Sequence, residues 1–325
     1  MKTLIIGAAG MVGRKLTEKL LSDANQFNQI SELILYDITR AKKPNSSIPT
    51  KIISGDISKP EQAQILSREK PSIIYHLASI VSGEAEENFT KGWETNALGT
   101  WNLLEEIRKI SEESAGEYTP KIIFTSSIAV FGSPFPDKID DEFLCAPQTS
   151  YGSQKAITEM LITDYSRKGF IDGISLRLPT ICVRPGKPNL AASGFFSGII
   201  REPLNDFEAT LPVSDQVRHW HASPRSAIHF LIHAKGLDFK QLGSRRSLNM
   251  PGVSCTVEEQ IEALKKIAGA KVVARIKHEL NPTIVKIVDG WPRNFEPTRA
   301  TSMGFRSESS FEEIINVYLE DDFQK

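Results

Sequence analysis

The chain opens with a strand that runs straight into glycines. Thr3 to Ile6 is an unbroken apolar run of the kind needed by a strand buried on both faces. It ends in Gly7-Ala8-Ala9-Gly10-Met11-Val12-Gly13, after which Arg14 to Leu21 takes up helical periodicity. Strand, glycine turn and helix in that order bring backbone N–H groups and the positive end of a helix dipole to one edge of a sheet, where a pyrophosphate can sit. Gly7, Gly10, Met11, Val12 and Gly13 are therefore candidate cofactor-binding residues. The glycine spacing is one residue looser than G-x-G-x-x-G, so the position at the head of a strand-helix unit counts for more than the pattern. A tight turn without a ligand would also use glycine.

Alternation of short apolar runs with helical stretches continues to residue 180, which predicts an α/β fold with a Rossmann-type doubly wound parallel sheet. A polar insertion, Asp23 to Ser31, precedes the strand Glu32 to Tyr36, which ends at Asp37. A carboxylate there can accept from both hydroxyls of an adenine ribose and repels a 2'-phosphate, which favours NAD over NADP. Arg40, close by, could accommodate that phosphate instead. Lys51 to Ser54 reads as a strand closing at Gly55-Asp56-Ile57. Asp56 either reaches an adenine amino group or serves the turn. Pro60 to Lys70 reads as a helix, Ser72 to His76 as a strand, and Leu77-Ala78-Ser79 as a loop where ligands of such sheets collect. His76 reads as a strand-end core residue. One long helix is expected from about Glu84 to Ser114. Asn96 inside it has poor helix propensity, which points to a hydrogen-bonding task facing the sheet or to a solvent-facing position.

The strand Lys121 to Phe124 ends in Thr125-Ser126-Ser127, and Ser127 can donate to a substrate oxygen. A functional loop, 133 to 150, leads to a helix from Tyr151 to about Arg167, then to a strand from Gly173 to Leu178 and to Pro179-Thr180. Tyr151 and Lys155 stand four apart and leave one helix face a turn apart. A phenol has an ordinary pKa of about 10. A fixed ammonium favours its phenolate and brings it toward acid/base work on an alcohol. Alone, the pair also fits a tyrosine packed on a lysine stem.

Composition excludes several classes. The chain has 325 residues, 24% charged, with a net charge of −1 and no long run of one sign, so neither nucleic acid nor an anionic membrane is an expected partner. No window approaches the roughly 20 apolar residues of a membrane span. The N-terminus lacks the pattern of a leader, and a soluble cytoplasmic protein is expected. Cys145, Cys182 and Cys255 are far apart, and His229 and His233 have no third ligand, so neither a disulfide framework nor a metal site is expected.

Taken in order, the glycine turn, Asp37, Gly55-Asp56, His76-Leu77-Ala78, Asn96 to Thr100, Thr125 to Gly132, Tyr151/Lys155 and Arg177 to Thr180 resemble the extended short-chain dehydrogenase/reductase family, also called the NAD-dependent epimerase/dehydratase family. The resemblance covers nearly the whole chain. It implies catalytic roles for Ser127, Tyr151 and Lys155, a nicotinamide-contacting loop at Pro179-Thr180, NAD as cofactor, and a homodimer through the long helix near Trp93 and the Tyr151 helix. A Rossmann domain over 1–180, joined by chain near 215–250, and a smaller mixed C-terminal substrate lobe within 181–325, in which Lys271 to Ile276 reads as a short strand, complete the expected organisation.

Family membership leaves the reaction open. Arg184, Lys187 and Arg218 lie in loops that this fold sets above the nicotinamide, and they suit an anionic substrate, either a diphosphate or a carboxylate. Ser79, Ser127 and His219 join Arg184 and Arg218 as candidate substrate contacts. The strings at 127–136, 178–189, 192–204 and 218–224 resemble the D-erythronate dehydrogenase branch of the family. That resemblance implies NAD-dependent oxidation of a four-carbon sugar acid at C2. The rival readings are a nucleotide-sugar epimerase or dehydratase with tightly held NAD and a non-catalytic NAD(H)-sensing protein.

Overall fold

The computed structural model describes residues 1–186 and 192–323. Along the chain the strands are β1 (Lys2–Ile6), β2 (Glu32–Asp37), β3 (Thr50–Ser54), β4 (Ile73–His76), β5 (Lys121–Ser127), β6 (Asp172–Leu178), β7 (Thr180–Ile181), β8 (Ala209–Leu211), β9 (Arg218–Ala222), β10 (Ser247–Asn249), β11 (Val253–Thr256) and β12 (Ile276–His278). Seven of them form one sheet in the order β10-β6-β5-β4-β1-β2-β3, parallel throughout. The chain steps outward from β1 to β3, then returns to β4 on the other side of β1. Crossovers therefore diverge between β1 and β4, which opens a crevice at the carboxyl ends of these two strands.

The apolar run of β1 is explained by helices on both faces. Leu4 and Ile6 pack with Ile34, Ile74, Ile122 and Phe124 under the helices Pro60–Arg68, Gly99–Glu113 and Ser150–Arg167. Ile5 faces the other way, with Leu35, Tyr75, Ile123 and Ile174 under the helices Met11–Ser22 and Pro224–Gly236. Each such fully buried side chain contributes roughly 1.5–3 kcal/mol. That stabilisation fixes the register, since a slip by one residue would exchange the two faces.

A second core holds the smaller lobe. Val183, Phe196, Ile199, Ile200, Leu264 and Ile315 meet inside it, with the helices Gly194–Leu204, Val257–Ala268 and Phe311–Asp321 around them. Its strands form two small sheets, β11-β9-β7 and β12-β8, with β9 antiparallel to β11 and parallel to β7. Between β9 and β11 the chain leaves the lobe: the helix Pro224–Gly236 and β10 rejoin the main sheet.

Four elements differ from the sequence expectation. The long helix from Glu84 breaks into Ser82–Glu87, Phe89–Trp93, a π-turn Glu94–Leu98 and Gly99–Glu113. Asn88 leaves helical geometry and caps the next segment by accepting from Lys91 N–H. β5 does not end at Phe124, because Thr125, Ser126 and Ser127 continue the ladder against Leu176, Arg177 and Leu178. The strand expected over Lys271 to Ile276 is a helical turn, Ala270–Val273, followed by β12. Val272 and Val273 both pack on the lobe core, which neighbouring residues of a strand cannot do. The helix Pro282–Asp289, capped by Asn281, has no counterpart in the sequence reading.

Candidate active site

Gly7 sits at φ +93°, and a Cβ there would lie 2.7 Å from Ala78 N. A Cβ on Gly13 would lie 2.2 Å from the Gly7 carbonyl oxygen, so only glycine lets turn and helix close on each other. The helix Met11–Ser22 begins after Gly10 without a side-chain cap. Its leading N–H groups, at Met11 and Val12, are thus left for a ligand in the crevice, a cradle that suits the pyrophosphate of NAD. Asp37, at the end of β2, accepts from Ala9 N–H at 2.9 Å and Thr39 N–H at 3.0 Å. An ionised carboxylate has about four acceptor sites, so capacity remains for ribose hydroxyls beside the glycine turn.

Asp56 closes a turn by accepting from Ser58 N–H at 3.0 Å, the alternative weighed for it in the sequence. Ile57 is buried in the core beneath the helices Pro60–Arg68 and Gly99–Glu113. Leu77 and Ala78 follow β4, their N–H groups both donating to the Ile6 carbonyl. Asn96 is buried on the π-turn and fully engaged by the protein. Its Oδ1 accepts from Ser79 Oγ (3.0 Å) and Ile80 N–H (2.8 Å), while Nδ2 donates to the Ile80 carbonyl and to Gln154 Oε1 (2.7 Å). Every donor and acceptor of the amide is used in holding Ser79, Ile80 and Gln154. His76 is likewise internal: it meets Thr100 Oγ1 at 3.0 Å, and burial pushes its pKa down to about 3.

The crevice floor brings together the three residues singled out for chemistry. Ser127 ends β5 and accepts from Ala129 N–H at 3.1 Å. Tyr151 stands in the first turn of the helix Ser150–Arg167, whose start is fixed by Thr149 accepting from Gly152 N–H. Burial raises the Tyr151 pKa, and the hydroxyls of Ser79 and Ser127 and the charge of Arg184 act against that rise. Lys155 Nζ lies 5.5 Å from the Tyr151 ring centroid, 4.6 Å from that of Phe124, and donates to the Thr125 carbonyl at 2.8 Å. Burial lowers its pKa to about 7, with Glu159 pulling the other way. In the chain alone the charge of Arg184 also acts on the phenol, with Lys155 one helix turn away on the same face.

Two positioning residues escaped the sequence reading. Glu159, one turn beyond Lys155 on the same face, accepts from Ser126 Oγ at 2.5 Å and forms a buried ion pair with Arg177 at 2.8 Å. Together they tie the Tyr151 helix to the carboxyl ends of β5 and β6. The available signal was the i, i+4, i+8 series Tyr151, Lys155, Glu159.

The candidate substrate contacts divide. Arg184 is half-buried, its Nη2 donating to Ser193 Oγ at 2.8 Å, and it has no carboxylate partner among the described residues. Arg218 is instead paired with Glu259 at 3.1 Å and donates to the Ser254 carbonyl, with its side chain more than a third exposed. It is thus already neutralised at the lobe surface, a position that does not suit the anchoring role considered for it. His219 is buried beneath Thr180, to which it is hydrogen-bonded at 2.7 Å. Lys187 lies outside the described residues. Among the described residues no three His, Cys, Asp or Glu side chains are placed to hold a metal, and no helix is long and apolar enough to cross a membrane.

The NAD dependent epimerase/dehydratase family model matches residues 3–221. The chain is 41% identical over 324 residues to a D-erythronate dehydrogenase from Haemophilus influenzae, covering 99% of this chain and 100% of that one. A D-erythronate dehydrogenase from Cupriavidus necator is also 41% identical, over 99% and 98% of the two chains. Among solved structures, one described as the nucleoside-diphosphate-sugar epimerase from Agrobacterium tumefaciens is 53% identical with a TM-score of 0.95, over 99% and 94% of the chains. A holo L-threonine dehydrogenase from Cupriavidus necator, 20% identical with a TM-score of 0.83, covers 99% and 100% and shares the fold.

Proposed function

The chain belongs to the NAD-dependent epimerase/dehydratase family and is an NAD-dependent dehydrogenase; on that premise we propose that it oxidises the C2 hydroxyl of D-erythronate, giving 2-dehydro-D-erythronate. The observation that carries this reading is Arg184, a largely desolvated guanidinium that no described carboxylate neutralises, beside a tyrosine flanked by two serine hydroxyls. Such a cation suits the carboxylate of a small acid, held next to the carbon to be oxidised. Two relatives of full matching length are D-erythronate dehydrogenases, which agrees with that chemistry.

Ser127 and Ser79 hold the C2 oxygen, and Tyr151 as phenolate accepts its proton. When bound, NAD supplies the hydride acceptor, so the alcohol loses a proton and a hydride and leaves as a ketone. Lys155, beside the tyrosine and bonded to the Thr125 carbonyl, would hold the cofactor ribose hydroxyls. Arg184 seats the carboxylate. Its charge also favours the phenolate, so binding and proton abstraction draw on one side chain.

The rival reading, a nucleotide-sugar epimerase, is favoured by the description of the 53% identical structure. The two differ in redox outcome: an epimerase returns its hydride and retains its cofactor, whereas a dehydrogenase releases NADH. NADH formation across C4 and C5 aldonates and several UDP-sugars should be confined to the aldonates, with D-erythronate fastest. Tyr151→Phe should bind NAD nearly as well as wild type and lose most turnover, a factor of about 10²–10⁴ for general-base loss. UDP-sugar interconversion without net NADH, or a Tyr151→Phe variant at near-native rate, would refute the assignment.

A further inference from the structure

Thr180 Oγ1 lies 2.7 Å from His219 Nε2, and His219 Nδ1 lies 2.8 Å from the Pro292 carbonyl oxygen. A carbonyl only accepts, so Nδ1 carries the proton of the neutral ring. The ring is buried, stacked on Phe196 with centroids 5.2 Å apart and flanked by Trp291 at the same distance. Burial pushes its pKa down to about 4, which keeps it neutral at any working pH. Nε2 must therefore accept, and the Thr180 hydroxyl must donate its only proton to it. What Thr180 offers the crevice is lone pairs alone.

Thr180 is only partly buried and stands two residues past Leu178, which pairs with Ser127 at the crevice floor. We infer that His219 locks Thr180 as an obligate acceptor for the amide N–H of the nicotinamide carboxamide, and so sets the ring's orientation over Tyr151. This rests on the reading that Pro179-Thr180 flanks the nicotinamide. His219 is then a positioning residue and touches no substrate. Its distance from Thr180 in the chain explains why it reads from sequence as a substrate contact.

The test uses calorimetric titration of the full chain with NAD and with 3-acetylpyridine adenine dinucleotide, in which a methyl group replaces the amide NH2. Wild type should prefer NAD, and Thr180→Val should reduce that preference about five-fold, the worth of one net hydrogen bond of about 1 kcal/mol. His219→Gln places an amide oxygen near the Nε2 position and should keep the preference. His219→Asn retains a donor toward the Pro292 carbonyl but lacks the acceptor, and should lose the preference as Thr180→Val does. Both histidine variants lose the same ring stacking, so packing alone predicts equal effects. Equal weakening of both dinucleotides in every variant, or a change only in the KM of the acid, would overturn the inference. Titration needs no turnover, so its result stands apart from which acid the enzyme oxidises.

Discussion

Replacing Lys155 by methionine removes a buried ammonium while keeping an unbranched side chain against Phe124. The structure makes this a test with a sign and a pH window. Lys155 is essentially inaccessible to solvent, and burial lowers its pKa to about 7, against an unfolded value of about 10.4. The unfolded chain therefore binds this proton more tightly than the folded one, and stability rises with pH between those two values. At about 1.4 kcal/mol per pKa unit, burying this lysine costs the fold about 4–5 kcal/mol near pH 6, where it is charged, and about 2 kcal/mol near pH 9, where it has given up its proton. Against this stands the lost hydrogen bond to the Thr125 carbonyl, worth about 1–3 kcal/mol when its partner is left buried. The cofactor-free variant should then exceed wild type by about 2–3 kcal/mol near pH 6 and roughly equal it near pH 9. Calorimetry of the two proteins across that range would read a melting gap of roughly 5 °C that closes as pH rises. A gap that stays constant with pH, or a variant less stable at the acid end, refutes the placement of a desolvated lysine beneath the tyrosine.

Arg184→Gln should raise the KM for the acid by one to two orders of magnitude, as loss of a charge-assisted contact of about 1.5–3 kcal/mol implies. It should also move the rising limb of the pH–rate profile to higher pH, because the cation that favours the Tyr151 phenolate is gone. Arg218→Gln removes an exposed ion pair and a bond to the Ser254 carbonyl at the lobe surface and should leave both parameters within about two-fold; steady-state kinetics over pH compares the two. Exposed Leu98, Trp101, Ile157 and Met160 lie on the segments 94–113 and 150–167, faces that suit a second copy of the chain. Light scattering should give twice the 36.1 kDa chain mass and, for Met160→Glu, a shift toward monomer.

The features that were legible in the sequence are those written in short-range spacing. The strand, the glycine turn and the helix of residues 2–22 are one continuous local unit, as are Tyr151 and Lys155 on one turn. Asn96 was legible as a misfit: a poor helix former inside a helix, which proves to bond the loop after β4 from a π-turn. What escaped depends on contacts distant in the chain. Thr180 and His219 are 39 positions apart, and His219 and Pro292 are 73 apart, so no local pattern joins them. Arg184 and Arg218 look alike as loop cations. Only the location of Glu259, brought to Arg218 by the helix Val257–Ala268 packing beside β9, distinguishes them.

The path of the chain between main sheet and lobe has a further consequence. It crosses from β6 to β7, returns from β9 into the helix Pro224–Gly236, and leaves again from β10 to β11. No single cut separates the halves, so neither can be grafted onto another cofactor domain or expressed apart without stranding an edge. New substrates must instead be reached by exchanging side chains in place, with the acid's seat and the dinucleotide's seat changing under mutual constraint.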